Sequence, residues 1–185
     1  MDPFAFYSLS HFQTLTERSR SQLLQELSGL VNSAYRGPSS RQGWTTEADW
    51  LDGQRTDPKT LADELSQPGV EMWVLVAPDS FDILGCVRLE STANVLEIGM
   101  LTVRPGYQGR GLGRKILLFV EELAQERRIG KLKMFVLSLR TELISWYERQ
   151  GYHETADTKA FPEHDIRFGL PRVSGLFFKV LEKRL

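Results

Sequence analysis

At 185 residues, 41% hydrophobic and 25% charged, the chain has the composition of an ordinary globular protein and length enough for one substantial core, so a single domain over residues 1–185 is expected. A net charge of −1 argues against a general nucleic-acid-binding surface and leaves only a local basic patch as a route to such a partner. The lone cysteine, Cys86, rules out an intramolecular disulfide, suits a reducing compartment and reads as a small core residue in a strand. Met1-Asp2-Pro3 opens no signal-peptide pattern and no long uncharged apolar run offers a membrane span. A cytoplasmic protein with no membrane partner is the expectation.

Residues 4–12 mix aromatics with serine and read either as a short first strand or as an ordered arm. From Ser21 the apolar positions Leu23, Leu24, Leu27, Leu30, Val31, Ala34 and Tyr35 mark one face of a helix, which Arg36-Gly37-Pro38 ends. Residues 41–57 carry Trp44 and Trp50 among Glu47, Asp49, Asp52 and Arg55, without a clean period. Asp57-Pro58 then pairs an N-cap with proline at the first helical position and predicts a second helix to about Leu65. Three extended runs follow, over 72–77, 83–89 and 95–103, joined by turns short enough to make them antiparallel neighbours.

The next stretch organises the rest. A buried strand ending at Val103 meets Arg104-Pro105-Gly106, then Gln108-Gly109-Arg110-Gly111-Leu112-Gly113, and from Leu112 the residues Ile116, Phe119, Val120, Leu123 and Ala124 recur at helical spacing up to a glycine stop at Gly130. Glycines feeding a helix start make an anion site, because the first-turn amides are unsatisfied and no side chain keeps a diphosphate away. A nucleotide P-loop would need Lys-[Ser/Thr] after Gly111, where Leu112-Gly113 stand, and a dinucleotide fingerprint would need glycine at Arg114. A further strand over 132–139 runs parallel to the 95–103 strand through the helical crossover. Residues 142–150 form a short helix stopped by Gly151, 152–158 a strand, 159–175 a loop, and 176–181 a final strand. The residues read as one α/β domain.

The segment Gln108–Gly113 matches the Q/R-x-x-G-x-G/A signature of the GNAT N-acetyltransferase superfamily, and Trp146-Tyr147-Glu148-Arg149-Gln150-Gly151-Tyr152 resembles that family's second motif. The resemblance covers residues 70–152 and implies a mixed, mostly antiparallel sheet, splayed open and flanked by helices. It implies acetyl-CoA (coenzyme A) as cofactor. The backbone of Leu101, Thr102 and Val103 would hold the pantetheine arm. The amides of Gln108, Gly109, Arg110, Gly111, Leu112 and Gly113 would hold the diphosphate, and Arg114 stands either as a further phosphate contact or as a solvated position at the helix start.

Acetyl transfer to an amine needs a deprotonated nucleophile, donors for the developing oxyanion and a proton for the leaving thiolate. By resemblance Tyr147 is the proton donor. Its other reading is a buried aromatic beside Leu143, Ile144 and Trp146. Glu97, eleven residues before Gln108, stands where histone-acetylating relatives carry a general base, or else as a strand glutamate satisfied by an arginine. Many relatives have asparagine seven residues before the tyrosine; Arg140 stands there.

The acceptor would enter opposite the cofactor, between residues 41–57 and 159–175. Trp44, Glu47, Asp49 and His164 are the candidates to receive a cationic amine, against the alternative that the tryptophans pack and the acids are solvated. No metal-ligand spacing is present. The leading expectation is acetylation of a primary amine on a small molecule by direct transfer in a ternary complex. The competing ones are a protein lysine or amino-terminal acetyltransferase and a non-catalytic acyl-CoA-binding module. An edge strand or the carboxy-terminal strand would give a route to a homodimer.

Overall fold

Two residues, Ala93-Asn94, separate strand β4 (Ile83–Thr92) from strand β5 (Val95–Val103), so the two can only fold back on each other, and Thr92 lies opposite Val95. The computed structural model describes residues 4–77, 79–163, 165 and 168–185. On the other side of β4 runs β3 (Val70–Val76), and on β3 lies β1 (Ala5–Ser8), all antiparallel. The aromatic amino-terminal run is thus a strand, followed by helix α1 (Leu9–Thr16) capped by the Ser8 side chain.

Helix α2 (Arg20–Tyr35) buries the predicted face and opens with a capping box between Ser19 and Gln22. Helix α3 (Pro58–Glu64) begins as expected on Asp57, whose Oδ1 accepts the amides of Lys59 and Thr60 at 2.9 Å each. With α1 these helices cover one face of β3–β5, over Met72, Val74, Val76, Ile83, Cys86 and Met100. The opposite face is covered by α4 (Leu112–Glu126) and α5 (Thr141–Arg149), over Leu75, Val87, Leu89 and Ile98. Both faces being covered, β4 is buried almost continuously instead of alternating. Cys86 sits there at 1% exposure, and burial pushes its thiol up to about 12.

The crossover from β5 through α4 to β6 (Lys131–Leu137) gives the parallel pair in the sheet. Helix α4 does not run on to a glycine stop. It ends at Glu126 with Arg128 in the left-handed region (φ 57°), because the Ile129 side chain is anchored in the core and its amide is held by the Ala124 carbonyl at 2.8 Å. Gly151, by contrast, does close α5 with φ 87°.

The last strand, β9 (Phe177–Arg184), inserts between β6 and β7 (His153–Ala160), giving the order β1-β3-β4-β5-β6-β9-β7. The carboxy-terminal strand is therefore enclosed on both sides and offers no edge for pairing with another copy; the edges are β1 and the polar β7. The segment 159–175 is not all loop, since β7 extends to Ala160 and β8 (Leu170–Pro171) pairs with β2 (Leu51–Asp52). Among the described residues no helix is long and apolar enough to cross a membrane.

Gly85, on β4, lets α4 approach the sheet: a Cβ there would lie 2.7 Å from the Thr102 carbonyl oxygen and 3.0 Å from Ile116 Cδ1. Gly85→Ala is expected to cost about 1–3 kcal/mol of unfolding free energy by overpacking, read as a lowered urea midpoint at unchanged slope. An unchanged midpoint would show that β4 and α4 are not packed at this distance.

Candidate active site

Strand β5 pairs with β6 only from Val95↔Lys131 to Ile98↔Met134. Beyond that point the register between β4 and β5 steps from Arg88↔Gly99 to Cys86↔Thr102, so Met100 and Leu101 together oppose Val87. Met100 takes a left-handed φ of 47°, the signature of a bulge, which bends the strand away from β6. Meanwhile β6 continues along β9 as far as Leu137. The two strands part, and the gap opens into a cavity of about 560 Å³.

The edge of β5 at this gap carries backbone groups in alternation. Arg104 N–H turns towards β4 and donates to the Leu84 carbonyl at 2.8 Å, so Thr102 points the same way and Leu101 and Val103 point into the gap. Their carbonyls are taken: Leu101 accepts the Tyr35 hydroxyl at 3.2 Å and Val103 accepts Gln108 Nε2 at 3.0 Å. Their amide hydrogens face the opening. Thr102 is buried, turns its own hydroxyl onto the Met100 carbonyl at 2.9 Å and faces its backbone to Cys86 on β4, so of the three residues expected to hold the arm it presents neither side chain nor backbone to the gap.

A turn over Pro105–Tyr107 and the residues 108–111 lead into α4. Gly109 and Gly111 have φ of 75° and 79°, and nothing lies within 4 Å of where a Cβ would stand at either. The first bond at this helix end is Lys115 N–H to the Gly111 carbonyl at 3.0 Å, and among the described residues the amides of Leu112, Gly113 and Arg114 have no backbone partner. Arg110 stacks over Tyr107 at 5.3 Å, and Arg114 is exposed without an ion pair among the described residues. Open space, free amides and two cations suit an oxyanion. Gln108 holds the turn in place, bonding Val103 with one end of its amide and accepting the Trp44 N–H at 3.2 Å with the other.

Tyr147 lines the cavity from α5, packed edge-on to Trp146 and Tyr152 at ring distances of 5.0 and 6.0 Å. Burial raises its phenol pKa, with a smaller push from Tyr35, and its hydroxyl has no hydrogen-bond partner among the described residues. Glu97 lines the same cavity, opposite Glu90 on β4 and Lys133 on β6. Desolvation first, and Glu90 second, raise its pKa above the ordinary carboxylate range, while Lys159, Arg88 and Lys133 pull the other way.

Glu47 also reaches this cavity, but its carboxylate is occupied: Oε2 accepts Arg36 at 3.1 Å and Oε1 accepts Arg140 at 3.2 Å, with all three residues at 7% exposure or less. Arg140 further donates to Thr45 Oγ1 and lies 5.1 Å over the Tyr35 ring, so the residue standing at the relatives' asparagine position ties residues 45–47 to the start of α5. Trp44 and Asp49 do not reach the interior cavity. They line a second hollow of about 400 Å³ whose shared wall is Arg140 and Leu143. Trp44 is 45% exposed there, tilted against Trp146, and Asp49 pairs with Arg41 at 2.6 Å. His164 lies outside the described residues. Tyr35, Arg36 and Arg55 are cavity residues the sequence reading did not single out; an arginine placed directly after the buried helix face ending at Ala34 and Tyr35 was the available signal. Among the described residues no cluster of three or more histidine, cysteine or acidic side chains could hold a metal.

The model of the Acetyltransferase (GNAT) family matches residues 26–152. An amino-acid acetyltransferase from Ralstonia nicotianae is 40% identical over 78 residues, which are 40% of this chain and only 16% of that protein. A spermidine N(1)-acetyltransferase from Thermoplasma acidophilum is 22% identical over 147 residues, covering 78% of this chain and 84% of the relative. Among solved structures, the ribosomal-protein-S18-alanine N-acetyltransferase from Escherichia coli superposes with a TM-score of 0.66 over 98% of this chain and 93% of its own, at 15% identity, which is a likeness of fold. With the family model spanning the parted strands, the glycine turn and the helix that carries Tyr147, the chain belongs to the GNAT acetyltransferase family and is an acetyl-CoA-dependent N-acetyltransferase.

Proposed function

We propose that the chain, read as one acyltransferase domain over 1–185, acetylates a primary amine on a small molecule by direct transfer within a ternary complex. The observation that carries this reading is the parting of β5 from β6 after Ile98, which leaves a strand edge running straight into the glycine turn. The residues at hand fit acetyl-CoA: the free amides of Leu101 and Val103 match an extended amide-bearing arm, and the open turn from Gln108 to Gly113, with Arg110 and Arg114 beside it, matches a diphosphate. When bound, that cofactor supplies an acetyl group activated as a thioester.

The chain's own residues then have three tasks. The fixed amide of Leu101 donates to the acetyl oxygen as negative charge develops there. Tyr147 keeps its proton throughout the neutral range, since burial raises its pKa, and gives it to the departing sulfur. Glu97 takes the proton from the acceptor amine, directly or through one water, and its raised pKa brings its basicity closer to that task. Holding donor and acceptor side by side supplies much of the acceleration without further chemistry.

A small acceptor is favoured by the shape of the cavity. Phe161, Pro162 and Phe168 line it together with Tyr35, Thr60 and Asp63, and an interior hollow of about 560 Å³ suits a small acceptor better than an extended protein segment. The names of the relatives span both sizes, a polyamine and a ribosomal protein.

Tyr147→Phe is expected to lower kcat about 100-fold in a free-thiol release assay, while acetyl-CoA still raises the melting temperature as in the native protein. Undiminished turnover would remove Tyr147 from the mechanism. For Glu97 the sign runs both ways. A carboxyl with a raised folded-state pKa binds its proton more tightly in the folded chain, so stability is lost as pH rises from the unfolded value through the folded one. Glu97→Gln should therefore melt higher than the native protein at pH 7 to 8, turn over about 10- to 100-fold more slowly, and lose the rise of kcat with pH across the Glu97 titration. A variant that melts lower and keeps the native pH–rate profile would make Glu97 a structural glutamate.

A further inference from the structure

Six of the charges lining the interior cavity form two inverted triads, with Asp63 and Lys159 lining it besides. At one end Glu47 is held between Arg36 and Arg140. At the other, Arg88 is held between Glu64 and Glu90, at 3.0 and 2.7 Å. The first triad therefore has a guanidinium in excess and the second a carboxylate in excess. Each is reinforced by a group of its own sign that has no ion pair among the described residues: Arg55 belongs with the first, and Glu97, across from Glu90, with the second.

Arg55 is held in a way that surface arginines are not. Its backbone N–H donates to Asn32 Oδ1 at 2.7 Å, and the same oxygen accepts Thr56 N–H at 3.2 Å while Asn32 Nδ2 donates to the Thr56 carbonyl at 2.8 Å. The guanidinium lies 5.8 Å over the Tyr35 ring and lines the cavity, yet it makes no ion pair and no side-chain hydrogen bond among the described residues. Arg36 and Arg140 are committed to Glu47, to Thr45 and to the Gln54 and Phe168 carbonyls, whereas among the described residues the whole Arg55 guanidinium is without a hydrogen-bond partner. The excess positive charge is felt within the cluster, where burial and Arg55 pull the Arg36 pKa down against the pull of Glu47.

The cationic end adjoins the reaction position. Tyr35, flanked by Arg55 and Arg140, is the residue whose hydroxyl bonds the Leu101 carbonyl at the open edge of β5. An acceptor that brings only positive charge would leave the excess guanidinium beside Leu101 uncompensated. One that carries an anionic group near its amine would neutralise it.

Resting on the acetyltransferase reading above, we infer that the acceptor is an amino carboxylate, with its carboxylate on the Arg55 guanidinium and the amine towards the acidic end that holds Glu97. The geometry of a planar guanidinium suits a carboxylate better than any point anion. A neighbouring cation also favours the neutral form of the amine, which is the form that attacks.

The test pairs each of a set of α-amino acids, β-alanine and γ-aminobutyrate with its own carboxamide, with spermidine as a polycation, in free-thiol release from acetyl-CoA. The native protein should prefer acid over amide by about tenfold or more in KM, the worth of one charge-assisted contact. In Arg55→Gln that preference should collapse through KM with kcat changed less than about threefold, and Arg55→Lys should restore part of it. Equal use of acid and amide, a preference for spermidine, or an equal effect of Arg55→Gln on both would overturn the proposal. If no amine turns over, calorimetric titration of the coenzyme A-loaded native and Arg55→Gln proteins with the same acid and amide pairs decides it. Acid-selective binding lost in the variant upholds the anion site, and absent or unselective binding removes it. Failure of the underlying reading shows elsewhere, as no melting shift with acetyl-CoA alone.

Discussion

Backbone N–H and C=O groups must be satisfied, and β5 beyond Ile98 has a partner strand on one side only. Everything around the cavity answers that deficit. Two of the exposed carbonyls are met by side chains from distant parts of the chain, Tyr35 from α2 and Gln108 from the turn before α4. The amides are left over. A chain that satisfied them internally would close the sheet; here β5 bends away at Met100 while β6 stays with β9 on its far edge, which leaves the donors facing a cavity.

Holding such an opening apart requires rigid struts, and buried charge provides them. Glu47 with Arg36 and Arg140 links the end of α2 and the connection that follows it to the start of α5, 93 residues further along the sequence. Burying three charges is expensive, and the compensation here is further hydrogen bonding, with Thr45 and two backbone carbonyls each taking guanidinium donors that Glu47 does not. The arrangement gains little net stability over apolar packing, but it fixes where Tyr35 and residues 45–47 sit relative to β5.

What the sequence disclosed follows the range of the interactions involved. Helices α2, α3 and α4 were legible because their caps and apolar faces are local, as were the β3–β4–β5 hairpins with their short turns. The glycine turn was legible as an anion site from its own residues, and the ligand expected there came through a family resemblance. The insertion of β9 between β6 and β7 was not, since nothing in Leu176–Leu181 names a partner strand and the pairing with β6 spans some 45 intervening residues. The helix stop failed for a related reason: a glycine at 130 is a good local signal, yet the buried Ile129 side chain decides where the chain turns. Charge misled most. Glu47 and Asp49 looked alike two residues apart, and only the fold separates a buried carboxylate between two arginines from an exposed one on Arg41. Arg55 had no signal at all, being one more charge in a polar stretch until Asn32 and Tyr35 are brought to it.

Gln108 gives the molecule a mechanical property that neither cavity has alone. One end of its amide is fastened to the open strand and the other to the backbone at Trp44, with Gly43 so close that a Cβ there would stand 2.5 Å from Gln108 Oε1. Residues 44–47 are in turn gripped by Arg140. The glycine turn and residues 44–47 are thus geared together by one side chain. Thermodynamic linkage then makes any two ligands that engage these places report on each other: whatever free energy the first lends to the second, the second returns in full to the first.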